Sequence, residues 1–169
     1  MAFSITDFQG KLSGDGARPN LFEVECTRLG SDMNFLCKAA QLPGSTIGVL
    51  EVPYFGRSVK FAGNRTFAEW QVTILNDENF AIRNTLEGLM NDINSHVDNT
   101  AALFADGYQF DAKVSQYSKL GGIVKIYNFV GMFPTDIAPI DLDWSSNDTI
   151  EEYSVTFAFQ YWTADGITT

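Results

Sequence analysis

The chain has 169 residues, the length of one domain with an expected radius of gyration of about 16 Å, and carries 21 acidic against 11 basic side chains for a formal charge of −10. Affinity for nucleic acid without sequence preference rests on Lys and Arg, so this balance excludes a tight phosphate-binding surface. Two cysteines and one histidine support neither a zinc site nor a disulfide framework, and Cys26 and Cys37 read as buried or half-buried free thiols.

The start, MAFSITDFQGKLSG, has no cationic segment followed by an apolar run, and no stretch approaches the roughly 18 apolar residues of a membrane span. The expectation is a soluble, unexported chain without a membrane anchor. Residues 1–16 lack periodicity and read as a flexible N-terminal arm. In NLFEVEC, Phe22, Val24 and Cys26 alternate with Glu23 and Glu25, which predicts a half-buried strand. FLCKAAQL at 35–42 reads as a second strand. From Leu42 to Asn64 the chain is punctuated by Gly and Pro, only SVKFA looks extended, and the segment reads as a long loop, a feature more often functional than idle.

TFAEWQVTIL alternates Ala68, Trp70, Val72 and Ile74 against Glu69, Gln71 and Thr73, a strand with one buried face. The period then changes: Ile82, Leu86, Leu89, Met90, Ile93 and Val97 fall at helical spacing, behind Asn76 or Asp77 as N-cap with acids in the first turn. DNTAALFADG reads as loop or a short extra turn. YQFDAKVSQY alternates again, SKLGG signals a tight turn, and IVKIYNFVG returns as its hairpin partner. MFPTDIAPIDLDWSSNDTI reads as irregular. EEYSVTFAFQYW closes the chain as one long strand with Tyr153, Val155, Phe157, Phe159 and Tyr161 on one face. The fold class is therefore mainly β: an antiparallel β-sandwich or barrel with one flanking α-helix, in a single domain over residues 1–169.

Catalytic patterns are missing from the sequence. His96 stands alone, DLDWSSND lacks the spacing and central glycine of an EF-hand, and Glu151 and Glu152, as strand neighbours, point to opposite faces. No phosphate-loop pattern occurs, and no catalytic, cofactor or metal residue is nominated. The charge is unevenly placed, however. The last basic residue is Lys125, after which come Asp136, Asp141, Asp143, Asp148, Glu151, Glu152 and Asp165, whereas Arg57, Lys60 and Arg65 sit among the aromatics and glycines of the long excursion. Two unlike surfaces on one chain suit a head-to-tail contact between copies, which generates rings or filaments. In this reading the arm reaches a neighbour with Tyr54, Phe55, Arg57, Lys60 and Arg65, facing acids such as Asp141, Asp143 or Glu151. A reading of another class is a monomeric β-sandwich binding module whose acidic loop 136–152 holds calcium.

In colinear order over roughly residues 16–162, the runs NLFEVEC, FLCKAAQLPGSTIG, EVPYFGR, FAGNRTFAEWQVTILND, LMNDINSH and PTDIAPIDLDWSSNDTIEEYSVTFAFQYW resemble the tail tube proteins of contractile-tailed, T-even-like bacteriophages. The resemblance implies a β-sandwich or barrel with one flanking helix, a fold shared with the tube proteins of type VI secretion and of phage-tail-like injection particles, so a tube subunit of such a device is the alternative reading. It implies a structural, non-enzymatic subunit of the virion tail, assembled in the host cytoplasm. Such subunits form hexameric rings stacked into a tube that conducts DNA, with the sheath, tape measure, baseplate and tail-terminator proteins as partners. The acidic charge suits a conduit that lets DNA pass without tight binding. The polar strand faces supply the candidate lumen residues Glu69, Gln71, Thr73, Gln109, Asp111, Glu152, Ser154 and Thr156.

Overall fold

A computed structural model describes residues 4–12, 16–101 and 104–165. Nine strands and four helices follow in the order α1 (Ile5–Lys11), β1 (Phe22–Cys26), α2 (Met33–Leu36), β2 (Cys37–Ala40), β3 (Thr46–Tyr54), β4 (Arg57–Thr66), β5 (Trp70–Leu75), α3 (Ala81–Ile93), α4 (Ala105–Tyr108), β6 (Phe110–Tyr117), β7 (Ile123–Ile137), β8 (Glu152–Ala158) and β9 (Tyr161–Ala164) among the described residues.

The body is one bent antiparallel sheet in the order β1-β6-β7-β8-β5-β2, with β9 also on β7. Strand β7 does the bending. Its first half pairs with β6 on one side and β9 on the other, and its second half, Phe133–Ile137, pairs with β8. Between the halves sits Gly131, at φ 64°, its N–H donating to Asp111 Oδ1 at 3.1 Å. A Cβ there would meet Gln160 Cγ at 2.8 Å and Gln109 Oε1 at 3.1 Å, so the bend needs glycine for its backbone and for its space. The result is two facing layers, β1-β6-β7-β9 and β2-β5-β8 with the end of β7. They close over Trp70, whose ring stacks on Phe129 at 4.5 Å between centroids, and over the edge-to-face pair Phe110 and Phe157. Ile82, Leu86 and Leu89 of α3 seal this core from one side.

The alternation reads through: Trp70, Val72 and Ile74 of β5, Phe110, Ala112 and Val114 of β6, and Tyr153, Val155 and Phe157 of β8 are all buried. Several boundaries differ from expectation. Within 35–42 the chain makes a helical turn, α2, before β2, because Met33 is drawn into the core and turns the chain ahead of the strand. Helix α3 starts only at Ala81: Asp77 Oδ1 accepts its N–H at 3.1 Å, but the first turn holds no acid, and Val97 lies beyond the helix, exposed. MFPTDI continues β7 rather than ending it, since Pro134 sits where the β6 partner has already stopped and no ladder N–H is required. The closing strand is broken after Ala158. The bend in β7 makes its partner bend too, so β8 and β9 follow β7 in succession, and Tyr161 turns outward. Of the arm, Ser4 caps α1 through Asp7 N–H, no residue of α1 is buried, and residues 1–3 and 13–15 lie outside the described residues.

Cys26 and Cys37 are free and buried, and burial pushes each thiol up to about 12. An ionised thiol is favoured in the unfolded chain from about pH 9 but in the folded one only near 12, so stability is fully present below pH 9 and is lost as pH rises through 12. Thiol reagent at pH 8 is expected to leave both cysteines unmodified until urea unfolds the chain; fast labelling of the folded protein contradicts this burial. Gly131→Ala is expected to lower folding stability by about 1–3 kcal/mol, measured from the urea midpoint, and an unchanged midpoint would show the bend to be unconstrained.

Candidate assembly interface

The segment 42–64, expected as a loop, is instead a two-stranded hairpin, β3 with β4, that joins no other sheet. Its turn is Phe55-Gly56, both at positive φ (45° and 78°), a two-residue loop of the kind that matches strand twist. Every strand residue in it is exposed. Nine residues at about 3.4 Å each carry the tip some 30 Å from its base. The base is anchored to the core by two indole N–H donors, Trp70 to Gln41 O at 2.7 Å and Trp162 to Gly44 O at 3.2 Å. A bulge follows Ile47, where Gly48 and Gly63 approach so closely that a Cβ on Gly63 would stand 3.0 Å from Gly48 O.

The register sorts the hairpin into two faces. Leu50 opposite Phe61, Val52 opposite Val59 and Tyr54 opposite Arg57 share one, and Val49, Glu51 and Pro53 face Ala62, Lys60 and Ser58 on the other. One face is thus an uncovered apolar strip ending in Tyr54 and Arg57, with Phe55 at the tip 91% exposed and edge-to-face on Tyr54. Leu50, Val52, Val59 and Phe61 were not singled out from sequence, though LEV and VKF do alternate. Of the three basic residues, Lys60 pairs with Glu51 across the hairpin at 3.3 Å, while Arg57 and Arg65 form no ion pair among the described residues.

The acidic segment, Pro139 to Glu151, links β7 to β8, and residues 141–150 are all exposed. Asp143 is spent locally: its carboxylate accepts from Ser145 N–H at 2.9 Å and Ser145 Oγ at 2.8 Å, which holds its pKa below the usual range. Glu151 accepts from Asn76 Nδ2 at 2.9 Å and ties β8 to the end of β5. Within one chain these acids do not meet the basic hairpin residues. The chain leaves β2 for the hairpin after Ala40 and re-enters β5 at Trp70, whereas the acidic loop spans from Ile137 to Glu152, which pairs with Leu75 at the far end of β5. Hairpin and acidic loop therefore lie at opposite ends of the same layer.

The candidate lumen residues divide between the two layers. Gln71 pairs with Thr156 and Thr73 with Ser154, and with Glu152, ion-paired to Lys38, they form the outer face of the β2-β5-β8 layer; Glu69, exposed, precedes them. Gln109, which follows α4 and directly precedes β6, and Asp111 of β6 belong to the other layer, where Asp111 holds the β7 bend. The outer faces of two packed layers point away from each other, so both sets cannot line one channel. No group of three or more His, Cys, Asp or Glu side chains that could hold a metal occurs among the described residues.

The chain is thus a two-layer β-sandwich with an exposed hairpin at one end, an acidic loop at the other and a polar outer face on one layer. The family model "Phage tail tube protein" matches residues 6–165, and the chain belongs to that family. It is a structural protein of a contractile phage tail and a component of the virion. The tail tube protein gp19 of Enterobacteria phage T4 is 35% identical over 151 residues, covering 89% of this chain and 93% of that protein. The tail tube protein of Serratia phage KSP90 is 25% identical over 123 residues, 73% of this chain and 70% of that one. Among solved structures, the fold matches a chain of the sheath-tube complex of the extracellular contractile injection system PVC in its extended state, with TM-score 0.63 and 14% identity over 98% of this chain and all of that one. It also matches the tube-terminating cap of the anti-feeding prophage, with TM-score 0.67 and 18% identity over 88% and 90%.

Because no hairpin strand residue is buried, replacing residues 47–65 by Gly-Gly is expected to change folding stability by roughly 0.5 kcal/mol or less. Loss of cooperative unfolding in that variant would show the hairpin to be part of the core.

Proposed function

We propose that the chain closes into hexameric rings that stack into the inner tube of the tail, and that DNA passes through the lumen without tight binding. The observation that carries this reading is the β2-β5-β8 layer. Its outer face presents Gln71, Thr73, Ser154 and Thr156, and both of its edges, β2 and Phe133–Ile137 of β7, lack a strand partner among the described residues. Unpaired edges are an aggregation hazard unless they are covered, and joining the β7 end of one copy to β2 of the next covers both while continuing one barrel around the ring. A body about 40 Å across, repeated six times, leaves a hole of about the same width, enough for a hydrated duplex.

The lumen residues are then Glu69, Gln71, Thr73, Glu152, Ser154 and Thr156, with Asp136 opposite Thr156 adding a carboxylate. The carboxylates of Glu69, Asp136 and Glu152 repel phosphates within the roughly 8 Å Debye length, Lys38 beside them is paired with Glu152, and the amides and hydroxyls offer only neutral hydrogen bonds. The subunit does no chemistry of its own in this reading. Sheath, tape measure, baseplate and terminator proteins are its tail partners; the likeness to chains from a sheath-tube complex and from a tube-terminating cap supports the first and last by fold alone.

Electron microscopy of the purified protein over a concentration series is expected to show six-membered rings and hollow tubes; a calcium-dependent monomer at every concentration would refute the proposal. Gln71→Lys with Thr156→Lys should give tubes that retain a short labelled duplex in a salt-dependent way, whereas Gln109→Lys with Asp111→Asn should not. The reverse pattern would put the other layer inside.

A further inference from the structure

In the strands of the β2-β5-β8 layer and the end of β7 there is one Lys or Arg, Lys38. It sits where β2 slips against β5: Cys37 is opposite Ile74 but Ala39 is opposite Thr73, which leaves Lys38 as the extra residue of a bulge. Such a residue is left out of the ladder, and its side chain can be aimed away from the regular alternation. Cys37 faces the core, while Lys38 stands on the outer face and reaches past β5 to an ion pair with Glu152 of β8. Glu152 is itself fixed by its register opposite Leu75. The two side chains are 53% and 45% exposed, so their pairing contributes little to folding. Its effect on a passing polyanion is of another kind. Opposite charges held in contact cancel beyond their own separation, so a phosphate in the channel meets a dipole where it would otherwise meet a cation.

Resting on the tube reading above, we propose that Glu152 masks Lys38 from DNA: the wall carries a latent phosphate-binding site, one amine per subunit, that one carboxylate per subunit keeps neutral. A freed amine at this place would recur in every copy around and along the tube, and each phosphate it met would add affinity that salt weakens. The other carboxylates of the face are placed elsewhere. Glu69 precedes Trp70, at the opposite end of β5 from Leu75, and Asp136 is opposite Thr156, further along β8 from Glu152. Glu152 is therefore the residue on which passage without binding depends. Lys38 has its own use before assembly, since β2 is an open edge in the free subunit and a lysine on such an edge hinders pairing with a wrong chain.

The test uses full-length protein assembled into tubes, and a short fluorescent duplex at about 50 mM and about 200 mM salt. Glu152→Gln is expected to raise the retained duplex about tenfold or more over wild type at the lower salt and to lose that gain at the higher. Glu69→Gln removes a carboxylate of the same face without freeing an amine, and Lys38→Gln with Glu152→Gln removes both partners; each is expected to release the duplex as wild type does. Acylation of Lys38 in the unassembled subunit, followed by peptide mass, is expected to run several times faster in Glu152→Gln than in wild type, and this readout needs no tubes. Glu152→Gln tubes that release the duplex as wild type does, Glu69→Gln tubes that hold it as well as Glu152→Gln, or an unchanged acylation rate overturn the masking and leave the tube reading standing. Wild-type protein that forms no tubes at any concentration, or wild-type tubes that themselves retain the duplex, count against the conduit and the masking together.

Discussion

The architecture depends on one strand that belongs to two layers. β7 runs for fifteen residues and serves β6 and β9 in its first half and β8 in its second, with the change of direction concentrated at Gly131. Without that turn the two layers would be one open sheet, and Trp70 and Phe129 would not face each other. The same turn decides the surface. It leaves Phe133–Ile137 unpaired on the side that β6 has vacated, and so creates an open strand edge there.

From the two layers follows a division of labour among side chains of similar chemistry. Gln71, Thr73, Ser154 and Thr156 gather on one outer face because β5 and β8 are in register there. Asp111, equally polar and equally alternate in sequence, ends on the opposite face and is occupied with the backbone of Gly131. Alternation says which residues share a face of a strand, but not which direction in space that face takes once strands are distributed over two layers.

The hairpin is stable in a way that its own residues do not supply. A two-stranded ribbon in water is marginal, and here its Leu50, Val52, Val59 and Phe61 strip is bare. Its base is fixed by indole hydrogen bonds from Trp70 and Trp162, which carry the rigidity of the core out to Gln41 and Gly44. An apolar strip of this extent, held out about 30 Å on an anchored base, is the kind of exposed patch that marks an interaction surface.

What the sequence determined by itself is local and periodic. The buried faces of β5, β6 and β8, the helix at Ile82–Leu89 and the β6–β7 turn were all legible, because period and turn residues are carried by neighbours along the chain. The colinear runs that resemble tail tube proteins were legible in the same way. What only the tertiary structure decided is everything that depends on residues far apart. The hairpin at 46–66 was hidden because both of its faces carry apolar residues and its turn uses Phe55 at positive φ in place of the usual Asn. The extension of β7 through Pro134 and the break between β8 and β9 follow from where partner strands begin and stop. The opposition of basic hairpin and acidic loop follows from strand direction, since residues 54 and 144 acquire a spatial relation only when β2, β5, β7 and β8 are laid antiparallel side by side.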